Sequence, residues 1–257
     1  MESPEQGPEV EENVTSLTER RGLARGVYLL PNLITTGALF SGFYAIIAAM
    51  SGSLELAAIG IVIAGFLDAL DGRIARLTNT QSEFGVQYDS LSDMVAFGVA
   101  PAVLMFSWVL SDLGKIGWMI AFLYMACAAL RLARFNTAPD NKVFFGLASP
   151  AAAGTMATTV WTWVDNFDPV VSIEFSVFIA VYVSVTALLM VSNLRYYSPK
   201  HLNLKGRVPF VYMLVVVFLF VIVFVYPPGM LVTIGLVYIV SGPIQAIIRK
   251  ARPKPSD

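Results

Sequence analysis

Four aspartates stand close together in an otherwise apolar part of the chain, at Asp68, Asp71, Asp89 and Asp93. The first two are spaced i,i+3 and the last two i,i+4, so each pair falls on one face of a helix. Carboxylates in membrane helices are costly and usually mark a functional site. Four of them cannot all be ionised without a counter-charge. The pattern therefore predicts a site that binds divalent metal.

The ligand types in this stretch restrict the metal. Residues 66–93 contain no His or Cys, and oxygen-only ligation favours a hard ion such as Mg²⁺ or Mn²⁺ over zinc. Mg²⁺ usually takes one or two carboxylates and completes its shell with water and substrate phosphate. Four aspartates suffice for two ions, a common arrangement in phosphoryl transfer. We therefore expect two Mg²⁺ or Mn²⁺ ions at this site.

Small and basic residues between the aspartates suit a ligand that carries phosphate. Gly72 follows Asp71 and removes a side chain where a ligand would approach the backbone. Ala75 and Arg76 fall on the helix face that carries Asp68 and Asp71. The guanidinium of Arg76 can form paired hydrogen bonds with phosphate. Gly85 lets the next turn come close. The alternatives are an aspartate that caps a helix and an arginine that merely marks a membrane surface, and neither accounts for the whole set.

The composition predicts an all-α, polytopic membrane protein. The 257 residues are 56% hydrophobic and 14% charged, with a formal net charge of −1, whereas a soluble domain carries about 25% charged residues. A membrane helix needs about 20 mainly apolar residues, and eight such runs occur. None has the alternating pattern of a β-barrel strand. The predicted spans are Leu33–Met50, Leu54–Leu77, Asp89–Leu110, Ile116–Phe135, Leu147–Val164, Val171–Leu194, Val208–Val225 and Met230–Ile248.

The basic residues indicate how these spans are oriented. With eight spans, both termini and every even-numbered loop lie on one side of the membrane. Of the 17 Lys and Arg residues, only Lys115 falls on the other side. Basic residues concentrate on the cytoplasmic side of membrane proteins. We therefore expect a multi-pass protein of the cytoplasmic membrane, with both termini and the aspartates facing the cytoplasm.

The chain is predicted to form one membrane domain with short flanking segments. Residues 1–14 are acidic and contain prolines, so they are expected to be disordered. Residues 15–30 combine a capping box with apolar residues and arginines, which favours an amphipathic helix at the bilayer surface over a flexible basic linker. Residues 31–249 would form the catalytic membrane domain, and 250–257 a basic tail suited to anionic lipids. The single cysteine, Cys127, excludes a disulfide within the chain.

Eight residues at fixed spacings resemble the signature of a known enzyme family. They are Asp68, Asp71, Gly72, Ala75, Arg76, Gly85, Asp89 and Asp93. The set is similar, without departure, to the signature of the CDP-alcohol phosphotransferase family. The resemblance implies a six-helix membrane core, to which two helices would be added here. It also implies an enzyme, commonly a homodimer, that uses an alcohol to displace CMP from a CDP-linked lipid or alcohol.

The resemblance further implies roles for individual residues. The first three aspartates would bind metal, and Asp93 would contact metal and act as the general base. A base is needed because a hydroxyl is a poor nucleophile near neutral pH. Ser82, together with Pro31 and Asn32 on the first helix, matches stretches that contact the CDP-linked substrate. The residues expected to bind the CDP-linked lipid are Gly72, Ala75, Arg76, Ser82, Gly85, Pro31 and Asn32.

Stretches outside the signature resemble family members whose acceptor is L-serine. These stretches are residues 30–46, 97–102, 129–136, 146–154 and 192–202. Ala148 is a departure, because a proline is expected there. The implied reaction transfers the phosphatidyl group of CDP-diacylglycerol to serine and releases CMP. Members with an archaeal ether-lipid donor would look similar, so the nature of the lipid stays open.

A serine site needs a cation for the carboxylate and an acceptor for the ammonium group. Arg131 and Arg134, spaced i,i+3, and the nearby Asn136 are the candidates. The alternative for each arginine is ordinary placement at the cytoplasmic surface.

A phosphorylated acceptor, such as glycerol 3-phosphate or an inositol phosphate, would demand more cations at the pocket. A divalent-cation transporter would place its carboxylates near mid-bilayer, and an inactive scaffold would lack part of the signature. No nucleic-acid partner is expected.

Overall fold

The structure is a computed structural model, and the residues that it describes are almost all helical. The described residues are 30–78, 80–137, 145–167, 172–194, 196, 214, 218, 221 and 223–251. Of residues 249–251 only the backbone is described. Among the described helices, five are long and apolar enough to cross a membrane. These are Leu30–Met50, Glu83–Trp108, Lys115–Thr137, Ile173–Val191 and Pro227–Ile248. The chain is an all-α, multi-pass membrane protein, as its composition predicted.

We number the described helices in chain order. They are α1 (Leu30–Met50), α2 (Leu54–Leu77), α3 (Glu83–Asp93), α4 (Ala100–Trp108), α5 (Lys115–Thr137), α6 (Ser149–Asn166), α7 (Ile173–Val191) and α8 (Pro227–Ala251). A π-helical segment, Met94–Val99, joins α3 to α4 in one continuous helix, and a 3₁₀ turn, Leu110–Leu113, precedes α5.

Most predicted spans correspond to a described helix, with ends that differ by a few residues. The largest difference is at the third span, which was predicted to begin at Asp89. The helix begins at Glu83, because Ser82 caps it by accepting a hydrogen bond from the Gly85 N–H at 3.0 Å. Asp89 therefore lies in the second turn of the helix and not at its start. The first two turns of this helix are too polar to be recognised in the sequence as part of an apolar run.

Two of the predicted spans differ in character from the rest. α2 carries three acidic residues, Glu55, Asp68 and Asp71, and α6 is rich in alanine and threonine, so neither is among the five helices named above. The predicted disordered tail, the predicted surface helix and most of the predicted seventh span lie outside the described residues. The same holds for the basic tail beyond residue 251.

Small residues bring α1 against two neighbours. A Cβ on Gly42 of α1 would lie 2.7 Å from the Cα of Ala96, and a Cβ on Gly60 of α2 would lie 3.1 Å from the Cβ of Ala45. The Ser41 hydroxyl also donates to the Gly60 carbonyl oxygen at 2.7 Å. Small side chains permit this close approach of backbones in membrane helices. α1 is thereby held next to α2 and the π segment, while α6 packs against both α2 and α8.

The π segment depends on a proline and a buried tyrosine. Pro101 has no N–H to donate to the carbonyl oxygen of Phe97 four residues earlier. The hydroxyl of Tyr124 on α5, which is fully buried, donates to that oxygen instead at 3.1 Å. In an α-helix the Phe97 carbonyl oxygen would have no N–H partner. The Tyr124 hydroxyl supplies a donor, so the wider π turn is tolerated at this point.

A short loop ties the start of α6 to the end of α7. The Gly146 N–H donates to the Leu194 carbonyl oxygen at 2.9 Å, and the Leu147 N–H donates to the Leu189 carbonyl oxygen at 3.0 Å. Gly146 has a φ of 78°, and a Cβ there would overlap the carbonyl oxygen of Met190. Only glycine meets both conditions. The loop fixes where α6 begins relative to α7.

Candidate functional site

α2 and α3 bring three of the predicted aspartates together. One carboxylate oxygen from each of Asp68, Asp71 and Asp89 lies within 4.8 Å of the other two. Asp71 is only 4% exposed. The Oδ1 atom of Asp89 is buried and has no hydrogen-bond partner among the described residues. Such an atom is costly unless a cation or a donor satisfies it. This cluster can therefore hold a metal ion, and its all-oxygen ligands suit a hard one.

Asp93 lies beside this cluster and not within it. Its carboxyl group lies next to that of Asp68, but it is not one of the three that converge. Asp93 is the last residue of α3, directly before the π segment. The geometry thus distinguishes three converging carboxylates from a fourth next to them. That division is compatible with the predicted roles of metal ligands and base.

Thr35 of α1 fixes the position of Asp71 and was not predicted. Its hydroxyl donates to the Oδ2 atom of Asp71 at 2.6 Å, and Thr35 is itself only 4% exposed. The Ser92 hydroxyl donates to the Thr35 carbonyl oxygen at 3.2 Å, which links α3 to the same point. A hydroxyl residue in an apolar helix carries no spacing signal that would point to a contact with Asp71. Only the packing of α1 on α2 and α3 reveals these contacts.

We expect Thr35→Val to weaken divalent-metal binding by about tenfold or more, as losses of outer-shell partners usually do. Valine keeps the shape of the side chain but leaves Asp71 without its buried donor. Titration with Mn²⁺ followed by electron paramagnetic resonance measures the affinity without turnover. Thr36→Val is the matched control, because the Thr36 hydroxyl bonds to the Asn32 carbonyl oxygen and to the Tyr88 hydroxyl. Equal affinities in the two variants would contradict the assignment.

A cavity of about 280 Å³ adjoins the aspartates, between α1, the end of α2 and the start of α3. Asp71 and Asp89 both line it. It is also lined by all seven residues predicted to bind the CDP-linked lipid, namely Pro31, Asn32, Gly72, Ala75, Arg76, Ser82 and Gly85. The structure therefore gathers these residues around one space. The remaining lining residues, Thr35, Thr80, Gln81, Val86 and Phe135, had not been predicted.

Glycine keeps this cavity open at Gly85. A Cβ there would lie 3.1 Å from the Ser82 hydroxyl oxygen and 3.4 Å from Asn32 Oδ1. Arg76 is exposed, and its Nε–H donates to the Gly72 carbonyl oxygen at 2.8 Å. This bond orients the side chain and leaves the terminal guanidinium nitrogens for a ligand. The Ser82 hydroxyl accepts from the Gly85 N–H, so its own proton is still available to a ligand.

The two arginines predicted to bind the acceptor differ in their surroundings. Arg131 is partly buried, and its Nη1 donates to the Ser149 hydroxyl at 2.8 Å. Its Nε is buried without a hydrogen-bond partner among the described residues, and its guanidinium interacts electrostatically with Asp93. Arg134 is exposed, and its Nη2 donates to Asn193 Oδ1 at 2.8 Å. Arg131 is therefore the arginine that the fold directs toward the aspartates.

Asn136, the third predicted acceptor residue, connects two helices. Its Nδ2 donates to the Ser90 hydroxyl at 3.0 Å, which joins the end of α5 to α3. Asn136 is exposed, and Arg134 lies over the Phe145 ring at 5.8 Å from its centroid. Asn136 and Arg134 therefore both have structural partners near the end of α5. The three predicted residues thus do not form a single group.

Comparisons with known proteins agree with the signature. Residues 28–178 match the CDP-alcohol phosphatidyltransferase family, a range that includes the four aspartates and ends before α8. The chain is 38% identical over 226 residues to a CDP-diacylglycerol–serine O-phosphatidyltransferase of Helicobacter pylori, across 86% of this chain and 92% of that protein.

Two further relatives come from other groups of organisms. A Mycobacterium tuberculosis protein with the same name is 37% identical over 145 residues, 53% of this chain and 50% of its own length. The archaetidylserine synthase of Methanothermobacter thermautotrophicus is 38% identical over 170 residues, 65% of this chain and 69% of its own length. With the family match covering most of the chain and the first relative aligned over nearly its whole length, this protein belongs to the CDP-alcohol phosphatidyltransferase family.

Proposed function

We propose that this protein transfers the phosphatidyl group of CDP-diacylglycerol to the hydroxyl of L-serine, giving phosphatidylserine and CMP. The observation that carries the proposal is the convergence of Asp68, Asp71 and Asp89 beside a cavity lined by every predicted CDP-lipid residue. The name of the long-matching Helicobacter pylori relative supports serine as the acceptor.

Asp68, Asp71 and Asp89 are the proposed ligands of two Mg²⁺ or Mn²⁺ ions, with Asp93 contacting one of them. When bound, such ions neutralise the charge on the diphosphate and on the departing CMP. The unpartnered Oδ1 of Asp89 supports this assignment. Thr35 would orient Asp71 toward the ions through its hydrogen bond of 2.6 Å.

The CDP group of the donor would occupy the cavity next to these aspartates. Gly72 and Gly85 let the diphosphate approach the backbone, and the terminal nitrogens of Arg76 can pair with a phosphate oxygen. Pro31, Asn32 and Ala75 would form the surrounding wall, and Ser82 would donate a hydrogen bond from its free proton. Holding the donor in this way fixes the phosphorus atom relative to the acceptor, which is a large part of the acceleration in phosphoryl transfer.

Asp93 is the proposed general base. It takes the proton from the serine hydroxyl while the serine oxygen bonds to the phosphorus atom of the phosphatidyl group. The bond from that phosphorus to the bridging oxygen breaks, and the bridging oxygen leaves with CMP. Its place beside the converging carboxylates, and not among them, supports this role.

Arg131 is the proposed partner of the serine carboxylate, because it is partly buried and interacts with Asp93. Arg131→Lys should raise the KM for serine by about tenfold, since an ammonium group cannot make paired hydrogen bonds. The equivalent Arg134→Lys variant should change it little, because Arg134 already bonds to Asn193. Steady-state CMP release at varied serine measures both. Equal KM values for serine in wild type and Arg131→Lys would exclude Arg131 as the partner of the serine carboxylate.

The enzyme is proposed to act as a homodimer in the cytoplasmic membrane, with both termini and the aspartates facing the cytoplasm. The distribution of basic residues supports this orientation, since Lys115 alone would lie on the opposite side. The homodimer follows from the resemblance to the family. Membrane lipids would surround the apolar helices, and anionic lipids would contact the basic tail.

The deciding experiment is CMP release by the purified protein in lipid nanodiscs that contain CDP-diacylglycerol. Serine, glycerol 3-phosphate and an inositol phosphate are compared as acceptors, with and without Mn²⁺. We expect release only with serine and metal. A parallel arm with an ether-lipid donor tests the likeness to the archaeal relative. Release with a phosphorylated alcohol but not with serine would refute the proposed acceptor. Cation flux into vesicles without CMP release would favour a transporter.

A further inference from the structure

One face of α8 is packed tightly into the protein. Gly235, Tyr238 and Gly242 follow one another at intervals that place them along one side of a helix. A Cβ on Gly235 would overlap the hydroxyl of Thr155 on α6, and a Cβ on Gly242 would overlap the ring of Tyr196. This face of α8 therefore lies directly against α6 and Tyr196. Tyr238, between the two glycines, belongs to the same face.

The register of α8 on α6 brings Tyr238 toward the start of α6. The two helices run antiparallel, because Asn166 at the end of α6 hydrogen-bonds to Tyr226 just before α8. Thr155, farther back on α6, meets Gly235, farther along α8. Continuing in the same directions, Tyr238 lies about one helical turn beyond that contact. This is the end of α6 at which its first residue bonds to an arginine of α5.

Tyr238 lies near the arginine that we assigned to the acceptor. The Tyr238 hydroxyl and the Arg131 guanidinium interact electrostatically. The same guanidinium interacts with Asp93 and donates to Ser149. Arg131 thus connects the aspartates on one side with α8 on the other. The family match ends at residue 178, so α8 is an element outside the matched region.

The hydroxyl groups of two neighbouring tyrosines differ in their bonding. Tyr196 and Tyr238 lie with ring centroids 5.3 Å apart. The Tyr196 hydroxyl donates to the carbonyl oxygen of Ile239 at 3.2 Å, and Tyr196 is 5% exposed. Tyr238 is only partly buried, and no described residue accepts or donates a hydrogen bond at its hydroxyl. Its hydroxyl is therefore available to a ligand, whereas that of Tyr196 anchors α8.

We propose that Tyr238 determines acceptor specificity, by donating a hydrogen bond to the carboxylate of an amino-acid acceptor that Arg131 also binds. α8 then supplies one wall of the acceptor site. This inference rests on the proposed function, because it concerns the acceptor of that same reaction. An amino acid offers a carboxylate that matches a guanidinium and a phenol, whereas an alcohol without an anionic group leaves both unpaired. The site would thereby select against such alcohols.

The test compares Tyr238→Phe with Tyr196→Phe in full-length protein in nanodiscs. Tyr238→Phe should raise the KM for serine about tenfold, the usual effect of losing a hydrogen bond to a charged group. The kcat and the KM for CDP-diacylglycerol should stay close to wild type. Tyr196→Phe should lower the thermal unfolding temperature and leave the KM for serine unchanged. The difference between the variants separates recognition of the acceptor from anchoring of α8.

The outcomes distinguish this inference from the proposed function. Wild-type protein that releases no CMP in response to serine would overturn the proposed function, and the inference with it. If wild type responds to serine, an unchanged KM in Tyr238→Phe would overturn the inference alone. An equal rise in Tyr196→Phe would do the same, because the effect would then come from the position of α8. Serine-induced thermal stabilisation, reduced only in Tyr238→Phe, gives a second readout without turnover.

Discussion

The Asp93→Asn variant is expected to fold and to bind divalent metal, yet to release CMP at least about 100-fold more slowly than wild type. Asparagine preserves the size of the side chain but cannot take the proton of the acceptor hydroxyl. Asp93 lies beside Asp68 and outside the group of three converging carboxylates. Turnover should therefore fall much more than metal affinity. Initial rates of CMP release at saturating substrates, with Mn²⁺ titration of the same sample, measure the two quantities.

Asp112→Asn is the matched control for this variant. Asp112 is exposed in the 3₁₀ turn before α5, on a loop predicted to lie on the opposite side of the membrane from the aspartates. The same chemical change there should leave both the rate and the metal affinity at wild-type values. Rapid CMP release by Asp93→Asn would refute its role as the base. A loss of metal affinity as large as the loss of rate would reassign it as a principal ligand.

Asp89→Asn should abolish both metal binding and CMP release, with a loss of metal affinity greater than about 100-fold. The Oδ1 atom of Asp89 is buried without a partner among the described residues. The carboxylates of Asp68 and Asp71 repel that of Asp89. Removing one negative charge relieves this repulsion, so the metal-free variant should be more heat-stable than metal-free wild type. Opposite effects on stability and on binding are the signature of a metal ligand.

Thermal unfolding with and without Mn²⁺ tests this prediction directly. Metal that binds only the folded state raises the unfolding temperature of wild type, and the rise grows with the logarithm of one plus the ratio of metal concentration to Kd. Asp89→Asn should start from a higher temperature and show no such rise. Asp93→Asn serves as the comparison, because it should keep most of the metal-dependent rise. A rise of wild-type size in Asp89→Asn would exclude it as a ligand.

The predictable part of the site was the part encoded by spacing within single helices. Asp68 and Asp71 on α2, and Asp89 on α3, could be placed on helix faces because an α-helix has a fixed number of residues per turn. Arg76 followed from the same periodicity, and Gly85 followed from its small size and from the resemblance to the family signature. All of these residues lie at the predicted cluster or line the cavity beside it. Local geometry was sufficient because the chain reverses once, between two adjacent helices.

The part that escaped prediction depends on contacts between distant helices. Thr35 reaches Asp71 only because Gly42 and Gly60 bring α1 close to its neighbours, and no spacing in the sequence reports this. Arg131 and Arg134 look equivalent as an i,i+3 pair. The structure makes them different because Arg131 lies one turn deeper, where the start of α6 covers it, while Arg134 remains exposed at the helix end.

The π segment after Asp93 acts as a register element between two halves of one long helix. Inserting one more residue within Met94–Val99 would turn everything beyond it by about 100° relative to the aspartates, because the π turn already accommodates one extra residue. Either Phe97 would then leave the core or Asp93 would leave Asp68. Chain length in this short stretch is therefore as constrained as residue identity. Single-residue insertions should be tolerated at loops such as Ser51–Ser53 long before they are tolerated here.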